Sequence, residues 1–403
     1  MKKTLAAVAV LGAFAGSALA ADVQLYGIVD TGVRYLNSDM DVNKDGVGVD
    51  AVDKFSMESG MASGSRWGIK GVEELGNGLT VGFVLEDGFT SDNGAEKGVM
   101  FDRESSLFIE GGFGKFAMGR IGSINGGVSS WAKHGVMSAF GTSWGRYAAQ
   151  ADAVFGGSDK WDNMIAYETP NFAGFKVFAQ YGMGNQKTGT YKDGNTIEHE
   201  VTYGVENESS SDRYYAIGAS YANGPLNLYF AVDSINYSSA SVTDPDGDLS
   251  YSDTDDAWTV RLGGNYDFEV VKIFAGAAYF DEAKLSSFSG AATDFFGSSA
   301  AGNVKIKGWS LGVSGSIPVA GGSVLVGAGY MDAEGADSMK NGNYENADIS
   351  RWIVSAGYDY PFSKRTDVYG VLTYNQDSIE KVTGQQDADP NVFGVMVGLR
   401  HRF

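Results

Sequence analysis

The sequence contains no cysteine, only six prolines and only three histidines among its 403 residues. Without cysteine, neither disulfide bonds nor thiolate metal sites are available, so the fold must be stable without covalent cross-links. The histidines, His134, His199 and His401, leave little material for acid–base catalysis. Lysine and arginine (30 together) are outnumbered by 50 aspartates and glutamates, and the net charge of −20 argues against nucleic-acid binding.

Long apolar runs are also missing after the N-terminus, so no later segment approaches the ~18 apolar residues of a membrane-spanning helix. The N-terminus itself is basic, continues with the apolar stretch Leu5–Ala15 and reaches an Ala-Leu-Ala site. This pattern predicts a secretory signal peptide over residues 1–20, with cleavage after Ala20 or Ala21, in preference to a membrane anchor. No linker is evident in residues 21–403, which we expect to form one domain.

Glycine and aromatic residues are plentiful: the chain has 57 glycines, 23 phenylalanines, 21 tyrosines and 7 tryptophans. Interior glycines disfavour helices, whereas this mixture is typical of strands joined by tight turns. Apolar and polar residues alternate in many segments, for example 226–233, 309–317 and 393–399. Such alternation indicates a sheet with one face in an apolar medium and one in water, although a soluble β-sandwich has the same local pattern.

The connections distinguish these two architectures, because short turns alternate with long polar loops. That arrangement is typical of a transmembrane barrel with long extracellular loops, and an even strand count places both termini in the periplasm. We predict an all-β, antiparallel, 16-stranded transmembrane barrel in the Gram-negative outer membrane, wide enough to hold an aqueous channel. The predicted strands are 23–36, 66–73, 79–90, 100–110, 115–121, 161–169, 173–182, 212–221, 226–237, 256–266, 270–280, 304–317, 323–331, 348–360, 366–375 and 391–403.

Five segments resemble the general-diffusion porins of Gram-negative bacteria, and the β-proteobacterial type most closely. The most specific are Ser65–Leu79 (SRWGIKGVEELGNGL) and the closing Val397–Phe403 (VGLRHRF). Asp22–Gly32, Gly111–Arg120 and Pro170–Gly182 support them, so the resemblance runs from the first predicted strand to the last.

The resemblance implies a homotrimer of barrels, each with its own pore, surrounded by outer-membrane lipid and lipopolysaccharide. It implies that the third loop, Ile121–Lys160, folds inward and narrows the channel. It also implies that the barrel assembly machinery recognises the C-terminal strand through Phe403.

In the resembling family, basic wall residues face acidic loop residues across the constriction. By motif, Arg66 and Lys70 match the basic wall and Glu86 an acidic wall position. Arg34 joins them because it has the inward phase of its strand. Arg103 resembles a further basic wall residue, but alternation places it on an apolar face, so its orientation stays open.

The predicted inward loop is poor in acid, with Asp152 and Asp159 as its only carboxylates and Lys160 at its end. Inward-phase wall positions, by contrast, are mostly basic. The basic positions are Arg34, Arg66, Lys70, Lys176, Arg261, Lys272, Arg351, Arg400 and Arg402, and the acidic ones are Asp30, Glu86, Glu168, Asp233 and Asp359. Since acidic loops favour cations and a basic wall favours anions, the ion preference stays open.

The expected function is passive diffusion of ions and small hydrophilic solutes through a water-filled pore, with no cofactor or metal. The alternatives are a porin specific for phosphate or an organic anion, a barrel-shaped outer-membrane enzyme, and a secreted adhesin. The Gly-x-Ser-x-Gly sequence at 141–145 is not expected to be catalytic, because the motif requires a strand-to-helix turn.

Overall fold

The computed structural model describes the chain from residue 21 onward, with gaps. The described residues are 21–39, 51–142, 144, 153–157, 160–184, 187–192, 198–242, 249–251, 255–288, 290–291, 303–339, 344, 346–383 and 387–403.

The described chain is almost entirely β. Its strands are β1 Ala21–Asp39, β2 Val52–Ser59, β3 Arg66–Gly76, β4 Leu79–Gly88, β5 Glu104–Gly111, β6 Gly114–Gly122, β7 Lys160–Glu168, β8 Phe175–Gly182, β9 Lys187–Lys192, β10 Glu198–Tyr203, β11 Arg213–Asn223, β12 Leu226–Asn236, β13 Ala240–Val242, β14 Leu249–Tyr251, β15 Ala257–Asp267, β16 Lys272–Lys284, β17 Lys305–Val319, β18 Gly322–Gly335, β19 Asp348–Pro361, β20 Thr366–Glu380 and β21 Asn391–Arg402. Short 3₁₀ helices lie at His134–Met137, Leu285–Ser287 and Asp337–Met339. None of the described helices has both the length and the apolar character needed to cross a membrane.

Seventeen of these strands form one antiparallel sheet that closes on itself. The first half of β1, Ala21–Ile28, pairs with β3, and Thr31–Ser38 of the same strand pairs with β2. The strands β2 and β3 therefore share one position in the wall, which has sixteen positions in all. The last strand, β21, pairs with β1 and closes the barrel. The predicted 16-stranded barrel is confirmed.

The ends of the predicted strands agree with the observed ones to within five residues, and the largest difference is at the end of β20, predicted at residue 375 and observed at Glu380. The prediction missed β2, which was assigned to a long loop. The hairpins β9–β10 and β13–β14 also lie in predicted loops and pair only with each other.

Tight turns connect the strands at the periplasmic end. Between β3 and β4, Asn77 and Gly78 both have positive φ, 52° and 76°. Positive φ at both central residues matches the right-handed twist of a hairpin, and Asn-Gly adopts it most readily. The local sequence therefore determines this connection.

The outer surface of the barrel carries a band of apolar side chains. Leu262, Leu311 and Val354 are 58%, 52% and 43% exposed. Near the extracellular ends of their strands, Trp309 and Tyr330 stand side by side with ring centroids 5.7 Å apart. An exposed apolar band edged by aromatic rings is the surface that a bilayer solvates.

The two ends of the chain meet in the wall. Gly27 and Phe403 exchange two backbone hydrogen bonds, of 3.2 and 3.1 Å. The phenyl ring of Phe403 lies where a side chain at position 27 would be, so the glycine makes room for it. Phe403 thus extends the seam between β1 and β21 by one residue.

Candidate functional site

The segment 123–159 between β6 and β7 is called the inward loop below, and its described residues, 123–142, 144 and 153–157, enter the lumen. Its described side chains include Ile124, Met137 and Phe155, which are completely or almost completely buried. These side chains pack with wall residues in one apolar cluster inside the barrel. The lumen is therefore partly filled by its own loop, as the resemblance implied.

Glycines in the wall make room for the apolar side chains of the inward loop. A β-carbon at Gly276 would lie 2.8 Å from the Phe155 ring and 3.1 Å from the Met137 β-carbon. A β-carbon at Gly312 would also lie 2.8 Å from that ring. Since real β-carbons do not approach other atoms this closely, the loop fits only a wall without side chains at these points.

Replacing Gly276 with valine is therefore expected to push the inward loop away from the wall and into the passage. We expect a lower single-channel conductance in a planar bilayer. Gly370→Val is the control, because the nearest atom to a β-carbon at Gly370 is 3.8 Å away. Equal conductance in both variants and the wild type would show that the position of the loop does not depend on its close packing against Gly276.

Hydrogen bonds from several strands hold the first half of the inward loop against the wall. The wall and loop partners are Gln180 with Ile124, Tyr229 with Asn125, Glu104 with Ser130, Asn265 with Val136, and Ser314 with Ala139, all at 2.6–2.9 Å. These bonds satisfy loop groups that would otherwise be buried without partners.

A buried ion pair holds the second half of the loop. Arg351 on β19 donates two hydrogen bonds to Asp377 on β20, of 2.6 and 2.8 Å, and neither side chain is exposed. A third guanidinium hydrogen bond, of 2.8 Å, reaches the carbonyl oxygen of Ala153. The planar fork of arginine suits this combination of a bidentate carboxylate and one carbonyl.

A second pair repeats the arrangement two residues further along the loop. Arg261 on β15 bonds to Asp233 on β12 at 2.9 Å and to the carbonyl oxygen of Phe155 at 3.0 Å. Arg261 and Arg351 have the inward phase that the sequence predicted, but the loop covers both of them. They are anchors of the inward loop.

The wall formed by β1, β3 and β4 carries the predicted constriction residues. Arg66 and Arg103 converge on Glu86, with nitrogen–oxygen distances of 3.4 and 2.7 Å. The hydroxyl of Tyr26 donates a 3.0 Å hydrogen bond to the same carboxylate. Two guanidinium groups share one carboxylate, so these three side chains together carry one net positive charge. The carboxylate of Glu104, opposite Glu86 in the sheet, is buried and accepts hydrogen bonds from Ser106 and Ser130.

The orientation of Arg103, left open by the sequence, is resolved. Arg103 precedes β5, and Phe101 just before it has a φ of 57°, outside the extended region. This break separates Arg103 from the alternation of the strand. Glu104 is buried while Leu107 is exposed on the outside, so the acidic face of β5 turns inward.

Two further predicted residues lie on the same wall. Arg34 pairs with Glu58 of β2 at 2.6 Å. The ammonium nitrogen of Lys70 lies 5.2 Å from the centre of the Tyr26 ring and is exposed. Arg34 is thus neutralised by a residue that the sequence interpretation placed in a loop, whereas Lys70 keeps its charge.

Of the three residues predicted in or at the end of the inward loop, one lies in the described part of the chain. Lys160, the first residue of β7, pairs with Asp102 at 3.3 Å. Asp152 and Asp159 lie outside the described residues, so their position opposite the basic wall stays a prediction.

The sequence interpretation overestimated the basic excess of the wall, because it missed Asp367 and Asp377 as inward acids. Arg400 pairs with Asp367 at 3.0 Å and with Asp359 at 3.2 Å. Asp377 continues the inward alternation of β20 beyond the predicted strand end. Asp367 lies opposite Arg400 in the sheet. A longer predicted strand would have revealed Asp377.

Metal binding has no support in the part of the chain that the structure describes, where no three histidine, aspartate or glutamate side chains form a group that could hold an ion. Two sequence segments carry residue types that can bind cations, the aspartates of 244–248 and the Glu-His-Glu run at 198–200, but the first segment and the side chains of the second lie outside that part.

A closed barrel with an apolar outer band, a charged inner wall and a loop folded into the lumen defines a membrane channel. Residues 6–379 match the family described as Gram-negative porin, and the chain belongs to this family. It is an outer-membrane porin, through which small solutes diffuse.

Individual relatives agree. The chain is 32% identical to an outer membrane porin protein of Bordetella pertussis and 29% identical to outer membrane porin protein 32 of Delftia acidovorans, each over the full length of both chains. Among solved structures, it is similar to the anion-selective porin from Comamonas acidovorans, with 26% identity and a TM-score of 0.62. That comparison covers 95% of this chain and 100% of the other.

Proposed function

We propose that this porin favours small anions, and that Arg34, Arg66, Lys70, Glu86, Arg103 and Lys160 line its constriction, with Asp152 and Asp159 facing them from the inward loop. The observation that carries the ion preference is the group in which Arg66 and Arg103 share Glu86. An unbalanced positive charge beside a narrow passage lowers the energy of a passing anion and raises that of a cation.

Two observations support this proposal. The other inner-wall arginines, such as Arg261 and Arg351, are neutralised by carboxylates and covered by the loop, so they contribute little to the field in the passage. In addition, the similar porin from Comamonas acidovorans is described as anion-selective. Transport by diffusion requires no covalent chemistry, and we propose no catalytic activity.

Replacing Arg66 with alanine is expected to shift the reversal potential in a salt gradient toward cations. One charge ~8 Å from the passing ion contributes about 0.5 kcal/mol in water, with opposite signs for anions and cations. The anion-to-cation permeability ratio should therefore fall by about two- to fivefold after screening by salt.

The control for this experiment is Arg365→Ala, which removes the same charge from an exposed periplasmic turn. Its reversal potential should equal that of the wild type. A wild-type channel that prefers cations would refute the proposed preference. An unchanged potential in Arg66→Ala would remove Arg66 from the constriction.

The remaining features of the proposal concern assembly. Residues 1–20 are removed on export, three copies associate in lipid that contains lipopolysaccharide, and the assembly machinery recognises the strand ending at Phe403. The apolar outer band supports insertion of each barrel. Unboiled protein on a denaturing gel should migrate as a trimer, and N-terminal sequencing of the purified protein should begin at residue 21 or 22.

A further inference from the structure

A recess in the inner wall lies on the periplasmic side of the constriction. It has a volume of about 330 Å³, and its lining includes Gln24, Lys70, Val84, Phe108 and Lys115. We call it the lysine recess. Lys70 lies beside Gln24 on β1 and Val84 on β4, so the recess belongs to the same wall as the constriction residues.

The two lysines of the recess have no carboxylate partner within 4.0 Å in the described part of the chain. Lys70 lies over the Tyr26 ring, as noted above. Lys115 lies 4.1 Å from the centre of the Phe108 ring and 5.2 Å from that of Trp131. An aromatic face attracts an ammonium group but does not neutralise it. Both charges therefore remain available to a ligand.

The nearby acidic side chains do not neutralise the ammonium groups of Lys70 and Lys115. In the sheet Lys115 lies opposite Glu110 on β5 and Glu168 on β7. Glu168 already pairs with Lys133, at 3.7 Å, and with Lys176, and Glu110 lies outside the lining of the recess and is more than 4.0 Å from the Lys115 ammonium group. Asp22, the one acid in the lining, accepts a 2.9 Å hydrogen bond from the Gln24 amide. The recess therefore has two ammonium groups against one carboxylate.

The floor of the recess is apolar, because Val72, Val84 and Phe108 contribute to it. Inorganic phosphate or chloride would gain nothing from these side chains. A small carboxylate with an apolar body would place its charge near the lysines and bury its body against the floor.

We propose that the lysine recess is a transient binding site for small organic carboxylates with an apolar body, which dock there as they cross the pore. The proposed binding at the recess depends on the porin function but not on the ion preference at the constriction. Lys70 and Lys115 are its specificity-determining residues, and the ring of Phe108 holds the ammonium group of Lys115 in place.

The experiment uses single channels of the purified protein in a planar bilayer, with benzoate as the probe. Benzoate added on the periplasmic side should reduce the current in a saturable manner, whereas acetate at the same concentration should do so much less. Lys115→Gln and Lys70→Gln should each weaken this block by about tenfold, because a charge-assisted contact is lost.

The matched control is Lys272→Gln. Lys272 also lies over an aromatic ring, with its nitrogen 5.4 Å from the centre of Phe274, but it is on β16 and outside the recess. Its block by benzoate should equal that of the wild type. The proposal is overturned if benzoate does not block, if acetate blocks equally, or if Lys272→Gln weakens the block as much as Lys115→Gln does.

These recordings distinguish an error in the proposed binding site from an error in the porin function. Open channels with ordinary conductance and no benzoate block would count against the recess alone. Absence of any channel from folded protein would count against the porin function, and the reversal potential reports the ion preference separately.

Discussion

Replacing Arg351 with methionine is expected to make the open channel noisy and to destabilise the barrel. The substitution leaves Asp377 buried without its partner, which costs about 3–5 kcal/mol where a buried pair is broken. It also removes the hydrogen bond to Ala153, so the described part of the second half of the inward loop keeps Arg261 as its arginine anchor and loses Arg351. Current fluctuations in single channels and the temperature of heat denaturation measure the two effects separately.

Two companion variants separate loop anchoring from the buried charge. Arg351→Lys keeps the charge beside Asp377, so its stability should fall less, but it cannot form all three hydrogen bonds. The double variant Arg351→Met with Asp377→Leu removes both charges, and its stability should largely recover while the noise persists. If the currents of the double variant were as quiet as those of the wild type, the loop would not need the hydrogen bond at Ala153 to stay in place.

Acidification is expected to loosen the same loop through His134. This histidine is completely buried in the inward loop, its Nδ1 faces the carbonyl oxygen of Asn125, and Gly157 lies beside the ring. Burial and, next, the positive charge of Arg261 lower the pKa of His134 to about 3. The folded loop thus requires the neutral imidazole.

The sign of the effect follows from linkage. Since the pKa in the folded state is below the ordinary value, the contribution of neutral His134 is fully present above pH ~6.5 and is lost as the pH falls toward 3. At pH 4.5, two pH units below the ordinary pKa, the loss is about 3 kcal/mol. We expect the wild-type channel to become noisier or to close below pH 6.

His134→Gln is the matched variant, because glutamine can still donate to the carbonyl of Asn125 but carries no titratable group. Its currents should change little between pH 6.5 and 4.5. If the wild type and His134→Gln respond to acid in the same way, other groups, such as the carboxylates of the wall, control the response.

The sequence predicts the strands of this protein far better than it predicts the site. Every wall strand faces lipid on one side, so alternation marks each of them independently of its neighbours. The prediction missed β2, because this strand is short, contains the charged residues Asp53, Lys54 and Glu58, and has fewer apolar residues than the other strands. Gly60 and Gly64 then separate it from β3.

The site depends on contacts that alternation does not encode. The orientation of Arg103 stayed open because alternation was read through a continuous strand, whereas Phe101, with positive φ, precedes the start of β5. The inward phase predicted for Arg351 is correct, but its partners come from a different strand and from the loop. A loop that folds back onto several strands produces no periodic pattern in the sequence. Only the wall glycines that it packs against, such as Gly276 and Gly312, indicate where it lies.

The pairing of Gly27 with Phe403 has a consequence for biogenesis. The first strand made by the ribosome cannot complete its pairing until the last residue of the chain has been made and exported. The polypeptide must therefore cross the periplasm with apolar strand faces uncovered, at risk of aggregation and degradation, and closure is necessarily a late event. Loss of Phe403 would remove both of these backbone bonds and the ring that covers Gly27, and would leave the seam between β1 and β21 to the residue pairs from Ile28 and Arg402 to Asp39 and Asn391.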